Sequence, residues 1–593
     1  MTQASAAVQQ AFNMLQQGQT AGAQQVLQAA IWADPNDASA ANMLGVALAS
    51  QSKFDEAMVW FTEATRLAPD AAGAWGNIGN LHTLKGELEQ AATAWKKAVS
   101  IDPDEGNCLP KLLSVLYHLD RFMEATRVFL ETFPRQRSFS VESLNAGIPG
   151  LLTSGQAAEV VASIRHARNL AGPIWHLSRA MMMSMLYWDK PSREEVLREV
   201  KECGRQIGMY FPQDYRPLAN TPDPERPLKI GYISQDFRNQ ACGHFLEGFF
   251  EHRDRTQFEA HAYFVEGHGG DELTERLRAS ATSFTEVGTL TDAQVIDRIR
   301  ADGIDILVDT IVYSTPDKLL AVVRKPAPII VNYLGYPSTS GLAAFDYRLV
   351  DRMTDPEGFE AWSTEKLYRL DRCFMGYTPP HHMIDVVPRD PPGPGRPPVF
   401  GSFNKLIKIQ PQVVEVWSRV LQAVPGSRLL IKSGPLEHAD IRERYLKMFE
   451  SHGIGADRLD LRAHTSTREE HLKTYGEIDV ALDTWPYNGM TTTFEALWMG
   501  VPVVAWESDQ SHGRVSASIL RHTGVPECVA PGLNGYVGVA KDLVSTPARL
   551  MRWRKELRGM MRASVADVPA HTRGVEAFYR DIWRQWCASR AAS

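Results

Sequence analysis

Residues 482–500, LDTWPYNGMTTTFEALWMG, have the types and spacing that suit phosphate chemistry. An apolar run, Asp479 to Leu482, leads into a tight turn with Pro486, Asn488 and Gly489, then into Thr491, Thr492 and Thr493. That order is strand, glycine-bearing turn and helix N-terminus. The free N–H groups and positive dipole end of such a helix attract an anion. Threonine hydroxyls add donors, and Glu495, one turn in, is placed to accept hydrogen bonds from a ribose diol. The same half of the chain carries the loop Asn404-Lys405-Leu406-Ile407-Lys408 and the helix opening Arg468-Glu469-Glu470-His471. Lysine, a helix N-terminus and a ribose-reading acid together suit a nucleoside mono- or diphosphate. An ordinary capped helix is the other reading of the threonine turn taken alone. There is no G-x-x-x-x-G-K-S/T and no G-x-G-x-x-G at a first βα turn, which disfavours nucleoside triphosphatases and dinucleotide oxidoreductases. No D-x-D stands out either, so no metal and no cofactor are expected; fixed donors and lysine must carry a departing phosphate.

These residues need a scaffold, and the alternation of patterns supplies one. From Pro227 onward, strand-like runs at 228–234, 259–265, 304–309 and 329–333 alternate with helical stretches. A second series follows at 399–403, 427–432, 459–462, 480–483 and 501–505. Alternating strands and helices predict parallel, doubly wound Rossmann-like sheets, with ligands at the carboxyl ends of the strands. The loops so placed in the first series are 236–244, 310–315 and 335–341. Between Thr378 and Val399 stand eight prolines, a composition that reads as a linker. A tryptophan-bearing helix, about 573–588, ends the chain and is expected to cross back over the first sheet.

The N-terminal part is a repeat. Pro35, Pro69 and Pro103 are 34 residues apart, and on the same register recur Ala23, Ala57, Ala91 and Ala125, then Leu27, Phe61, Trp95 and Phe129. Ala30, Ala64 and Ala98 also repeat, and Gly45 pairs with Gly79. Small residues at helix crossings, a large apolar residue one turn later and a closing proline make the tetratricopeptide pattern. Such units stack into a solenoid whose concave face holds an extended protein partner or substrate; scaffolding or self-association into a homo-oligomer is its other use. The expected division is 1–139 tetratricopeptide repeats, 140–225 helical connector, 226–378 first Rossmann-like domain, 379–398 linker, 399–570 second Rossmann-like domain and 571–593 returning helix.

Bulk properties narrow the partners. A net charge of −7 over 593 residues offers no basic stripe for nucleic acid. The six cysteines are scattered without a C-x-x-C pair, which suggests neither a disulfide framework nor a zinc site. Neither a secretory signal nor an apolar run long enough to span a membrane is legible, so a cytoplasmic location is expected.

With these segments assembled, the chain is similar to the O-linked N-acetylglucosamine transferase and SPINDLY family, glycosyltransferase family 41. That family places tetratricopeptide repeats before a two-domain transferase of the GT-B type. The resemblance covers essentially the whole chain and is carried by SQDFRNQACGH (234–244), LGYPSTSG (334–341), FNKLIKI (403–409), REEHLKTY (468–475), the threonine turn and GRVSASIL (513–520). It implies metal-independent, inverting transfer of a sugar, with UDP-N-acetylglucosamine as the expected donor, to serine or threonine of a protein. By position, Lys408 resembles the lysine that steadies the leaving phosphates. Thr491 and Thr492 resemble the phosphate-holding threonines, Glu495 the ribose acid and His471 the histidine packed on the nucleobase. Asn404, Lys405, Asn488 and Gly489 belong to the same donor-binding segments, and Arg514 resembles a residue that braces the domain through an ion pair.

Three departures bear on donor and base. Gln240 stands where family members carry a histidine, and a glutamine side chain takes no proton at neutral pH. His244, Asp236 and a donor phosphate oxygen are the remaining candidates for the base. Met490 replaces a polar residue beside the phosphates, and Thr474 stands where animal members have a base-reading arginine. These changes keep open a flagellin glycosyltransferase using a CMP-activated nonulosonic acid, a GDP-fucose donor, and an inactive repeat scaffold.

Overall fold

The computed structural model describes residues 3–172, 174–266, 270–314, 318–380 and 384–591. Thr315 and residues 381–383 of the proline-rich segment lie outside them. The chain divides into two compact units, residues 1–172 with 438–444, and residues 173–437 with 445–593.

The first unit is a stack of antiparallel helix pairs. Phe54–Leu67 follows Ala38–Ala49, Leu88–Ile101 follows Ala72–Leu84, and Phe122–Thr132 follows Cys108–His118. The periodic residues sit where the 34-residue register demands: Ala23, Leu27, Ala57, Phe61, Ala91, Trp95, Ala125 and Phe129 are all buried. The glycines explain why the register is strict. A Cβ on Gly45 would stand 2.5 Å from the Phe61 ring, and one on Gly79 would stand 2.5 Å from Trp95 Nε1. The Trp95 indole donates to the Gly76 carbonyl at 3.1 Å, fixing the ring in that gap. Gly79→Val should therefore destabilise this unit by about 1–3 kcal/mol through overpacking, read as an earlier transition in a helical melt. An unchanged melt would show that the helix pair can open without cost.

Helix pairing continues past residue 139, where the 34-residue pattern reads as lost. Val141–Thr153 and Ala157–Ala171 form a further antiparallel pair, and the unit extends to Gly172. A Cβ on Gly147 would collide with the Phe129 ring, repeating the glycine-to-aromatic contact after the alanine register has lapsed.

The second unit contains two parallel sheets. The first comprises β1 (Leu228–Ser234), β2 (Phe258–Phe264), β3 (Ser283–Glu286), β4 (Ile306–Asp309), β5 (Ile329–Asn332), β6 (Tyr347–Asp351) and β7 (Lys366–Leu370), in the order β3-β2-β1-β4-β5-β6-β7. The second comprises β8 (Val399–Ser402), β9 (Arg428–Lys432), β10 (Leu459–Arg462), β11 (Val480–Leu482), β12 (Val503–Trp506) and β13 (Val529–Ala530), in the order β10-β9-β8-β11-β12-β13. The order reverses beside β1 in one sheet and beside β8 in the other, so each has a switch point where loops diverge and a ligand fits.

β3, β6, β7 and β13 were not legible as strands. β3 is four residues long and only partly buried, and β13 has two residues. β6 carries Arg348 among its apolar residues, a charge made tolerable by its buried pairing with Asp355. Within the helical connector expected over 140–225, the chain makes a 3-10 turn, Trp175–Leu177, and a short helix, Ser178–Met185. The chain then leaves the helix and Tyr187 stacks on Tyr487 at 5.5 Å. The last helix runs over Val568–Ala591, longer than its apolar pattern suggested. It lies on the first sheet, where Tyr579 and Tyr232 share a buried hydroxyl contact of 2.7 Å and Tyr368 donates to Asp581 at 2.7 Å. Among the described residues, no helix is long and apolar enough to cross a membrane.

Candidate active site

The loops after β1, β4, β5, β8 and β11 line one cavity of about 420 Å³, with Met183 and Tyr187 closing one side. Both switch points thus open into the same space. Of the residues singled out in the sequence, it is lined by Asp236, Gln240, Asn404, Lys405, Lys408, Met490, Thr491 and Thr492.

The threonine turn is built by Asp483, which follows β11. Its Oδ1 accepts the Gly489 N–H at 2.6 Å. A Cβ on Gly489 would stand 2.6 Å from Thr493 Oγ1, 2.7 Å from Thr492 Oγ1 and 2.9 Å from Asp483 Oδ1, so a side chain here would collide with the donors it ought to present. Helix Thr491–Trp498 starts at once, with Met490 at its N-cap and no side-chain cap hydrogen bond. The Thr493 N–H bonds back to the Met490 carbonyl at 3.1 Å, which leaves those of Thr491 and Thr492 for an anion. Thr492 Oγ1 donates to Asn404 Oδ1 at 3.2 Å, which joins the turn to the loop after β8.

Lys408 ends a 3-10 turn and is only 8% exposed. Its ammonium donates to the Asn488 carbonyl at 2.5 Å and sits 3.8 Å from the centroid of the Tyr487 ring. Burial drives the ammonium well below the usual lysine range, and the charge of Asp483 opposes that shift. Such a cation is poorly solvated and suited to an incoming phosphate. Asn488 does not line the cavity. It is fully buried, its amide nitrogen donates to Thr484 at 2.8 Å, and it serves the site by aiming its carbonyl at Lys408. Lys405 is exposed on the rim.

His471 and Glu495 lie beside the cavity. His471 Nε2 is 3.0 Å from Glu495 Oε2, and its ring meets that of Phe403, a cavity residue, edge-on at 5.9 Å.

Across the cavity, burial raises the Asp236 carboxyl above its ordinary value; the Cys242 thiol that donates to it, with Arg238 and Lys405 nearby, pulls the other way. His244 stands apart. It lines a separate cavity with Arg276, Pro379, Pro380 and Glu469. Its Nε2 meets Asn239 Oδ1 at 2.8 Å, and its Nδ1 accepts from Arg468 at 3.1 Å. Helix Ala241–His252 carries it there: Cys242, at the second position, faces the phosphate cavity, and His244, two residues on, faces elsewhere. A helix does not bring both to one face.

Sequence reasoning missed Tyr487, which packs on Lys408, and Lys432, a buried lysine at the carboxyl end of β9. The second was findable, since a lysine closing a buried parallel strand already stands at the ligand edge of a doubly wound sheet. Arg514 braces the domain as expected, paired with Glu507 and donating to the Met353 carbonyl at 2.9 Å.

Among the described residues, Asp351, Cys373 and His522 form a cluster of metal-ligand type. Its carboxylate is already saturated by the N–H groups of Met353, Thr354 and Phe374 and the Ser518 hydroxyl. His522 Nδ1 is engaged by the Ser518 carbonyl at 2.9 Å. The cluster ties β6 to helix Val515–Thr523 and lies outside the cavity lining.

The family described as glycosyl transferase family 41 matches residues 181–385 and 392–568. The chain belongs to that family. Tetratricopeptide repeat families match residues 14–72 and 72–105. Among curated relatives of this family 41 chain, the Arabidopsis thaliana protein named probable UDP-N-acetylglucosamine–peptide N-acetylglucosaminyltransferase SPINDLY is 34% identical over 417 residues, 70% of this chain and 45% of that protein. The Caenorhabditis elegans UDP-N-acetylglucosamine–peptide N-acetylglucosaminyltransferase is 23% identical over 475 residues, 60% of this chain and 41% of its own length. The chain thus spans about half the length of the curated relatives it matches. A solved structure of a lysine-to-methionine mutant of the Thermobaculum terrenum O-GlcNAc transferase superposes with a TM-score of 0.72 at 30% identity, over 100% of both chains.

Proposed function

We propose that this family 41 chain is an inverting protein O-glycosyltransferase that moves N-acetylglucosamine from its UDP conjugate to a serine or threonine of a protein held by the repeats. The observation that carries the reading is the buried Lys408 ammonium beside the threonine turn, in a cavity lined from both sheets. The acceptor hydroxyl oxygen attacks the anomeric carbon and its proton passes to Asp236. The bond from that carbon to the diphosphate oxygen breaks, and the charge left on the diphosphate is met by Lys408 and by the hydroxyls and N–H groups of Thr491 and Thr492. A fixed cation in that position does what a divalent metal does elsewhere, so donor binding is proposed to be metal-independent. Between successive helix pairs of the repeats, Asn77 donates to Asn42 at 3.0 Å and Lys111 to Asn80 at 2.8 Å. Asn42 stands on the first helix of one pair and Asn77 and Asn80 on that of the next, and amides so placed suit an extended peptide backbone.

Met490 on the cavity wall favours one rival, a CMP-activated nonulosonic acid transferred to flagellin, because a one-phosphate donor needs fewer polar partners. Calorimetry with UDP, GDP and CMP, with and without magnesium, separates the readings. UDP should bind in the micromolar range with affinity unchanged by magnesium. A preference for CMP would replace the donor and point to flagellin; binding of none of the three would leave a repeat scaffold without transferase function.

A further inference from the structure

Lys432 is the last residue of β9, and only 2% of its surface is exposed. An ammonium has three donors, and a buried one is costly unless they are used. Here the partners are two hydroxyls, Thr465 Oγ1 and Thr474 Oγ1, both at 3.4 Å, near the outer limit of a hydrogen bond. Thr474 spends its own proton on the Glu470 carbonyl at 2.8 Å, so it can only accept from the lysine. Glu495, the acid whose charge acts most on it, is held by His471. Burial pushes the Lys432 ammonium down to about 8, with Glu495 opposing. A lysine kept in this state has donor capacity in hand.

Its position gives that capacity a use. The ammonium is 4.9 Å from the centroid of Phe403, whose ring lines the phosphate cavity and meets His471. Tyr475, the residue after Thr474, donates to the Thr492 carbonyl at 3.2 Å, so the lysine's neighbourhood abuts the phosphate cradle. Phosphate at the threonines, ribose at Glu495 and a base beyond it follow the order of groups along a nucleotide. The rings of Phe403 and His471 meet edge-on beside Glu495, and the Lys432 ammonium lies over the Phe403 ring.

Resting on the sugar-nucleotide reading above, we propose that Lys432 reads the nucleobase of the donor by donating to a ring carbonyl, which selects oxo bases, uracil or guanine, over their amino counterparts. An exocyclic amine in place of that carbonyl would direct its own hydrogens at a cation and leave the ammonium unpaired. A site built around a buried donor rejects a ligand lacking the acceptor more strongly than it rejects a change of size.

The test compares ligands with the same phosphates. The unmodified chain should bind UDP at least about tenfold more tightly than CDP, or GDP by the same margin over ADP; the tighter of UDP and GDP names the base. Lys432→Met should bring each such pair to within about twofold, leave the affinity for ribose 5-diphosphate unchanged, and raise the donor KM with little change in kcat. Lys432→Arg, which restores a donor, should recover part of the preference. An unmodified chain that binds UDP and CDP equally, and GDP and ADP equally, would overturn the inference while leaving the transferase reading intact. So would a Lys432→Met protein that weakens both members of a pair by the same factor, as a purely structural lysine would. If that variant does not fold, the ratios of the unmodified chain decide. Binding of no nucleotide at millimolar concentration would overturn both readings.

Discussion

Lys408→Met is expected to lower kcat by about a hundred- to a thousandfold, with a much smaller change in donor KM, measured on a peptide acceptor by transfer of labelled sugar. Methionine keeps an unbranched apolar stem and removes the ammonium, with its contact to the Tyr487 ring and its bond to the Asn488 carbonyl. The loss should fall on kcat because negative charge on the leaving diphosphate is greatest at bond cleavage, and an interaction made mainly there lowers kcat. Stability should change little. Removing a buried ammonium relieves its desolvation, whereas Asp483, buried and already raised above the ordinary carboxyl value, loses the cation that favours its ionised form. A variant with normal kcat would exclude Lys408 from leaving-group stabilisation and, with it, the transferase chemistry proposed.

Lys408 and Asp236 shape the pH profile. Lys408 must be protonated and its ammonium is held below the usual range, so activity is lost as pH rises through a limb lower than an ordinary lysine would give. Asp236 must be ionised and its carboxyl is raised, so activity is lost as pH falls through a limb higher than an ordinary aspartate would give. The bell is therefore narrower than free side chains would make it. A bound diphosphate favours the charged lysine, so the alkaline limb belongs to kcat/KM and recedes in kcat.

The pieces of this site were unequally legible in the sequence. The 34-residue register and the strand–turn–helix order at 480–498 follow from local rules, small residues at crossings and a glycine before a helix, and the structure builds both. His244 shows where local rules stop. Its type suits a general base and it lies eight residues from Asp236, but its direction is set by the phase of a helix whose first turn is capped at Gln240. Lys432 shows the reverse. Nothing adjacent in sequence marks it; its meaning comes from Thr465, Thr474 and Phe403, which reach it from three other segments. Asn488 reads as a ligand group in the turn and is instead its internal tie, because burial, invisible in a loop sequence, decides which of its neighbours it can reach.

Asp236→Asn separates a working base from a loop anchor. Kcat should drop by about a hundred- to ten-thousandfold, since asparagine cannot take the acceptor proton. Stability should move the other way. A carboxyl raised in the folded state contributes stability that is present below its unfolded value and lost as pH rises through its folded one, so at neutral pH the ionised group burdens the native chain. Asparagine carries no such charge and its Oδ1 still accepts from the Cys242 thiol. The melting temperature at pH 7 should therefore rise in the variant, and the gain should vanish in acid, where both side chains are neutral. His244→Ala supplies the contrast: it removes the contacts to Asn239 and Arg468 outside the phosphate cavity, and kcat should stay within about fivefold while stability falls by about 1–3 kcal/mol. An Asp236→Asn protein that melts earlier and keeps its rate would make the aspartate a loop anchor and pass the proton to a donor phosphate oxygen. A His244→Ala protein that melts normally and loses its rate would require the helix 241–252 to turn during catalysis.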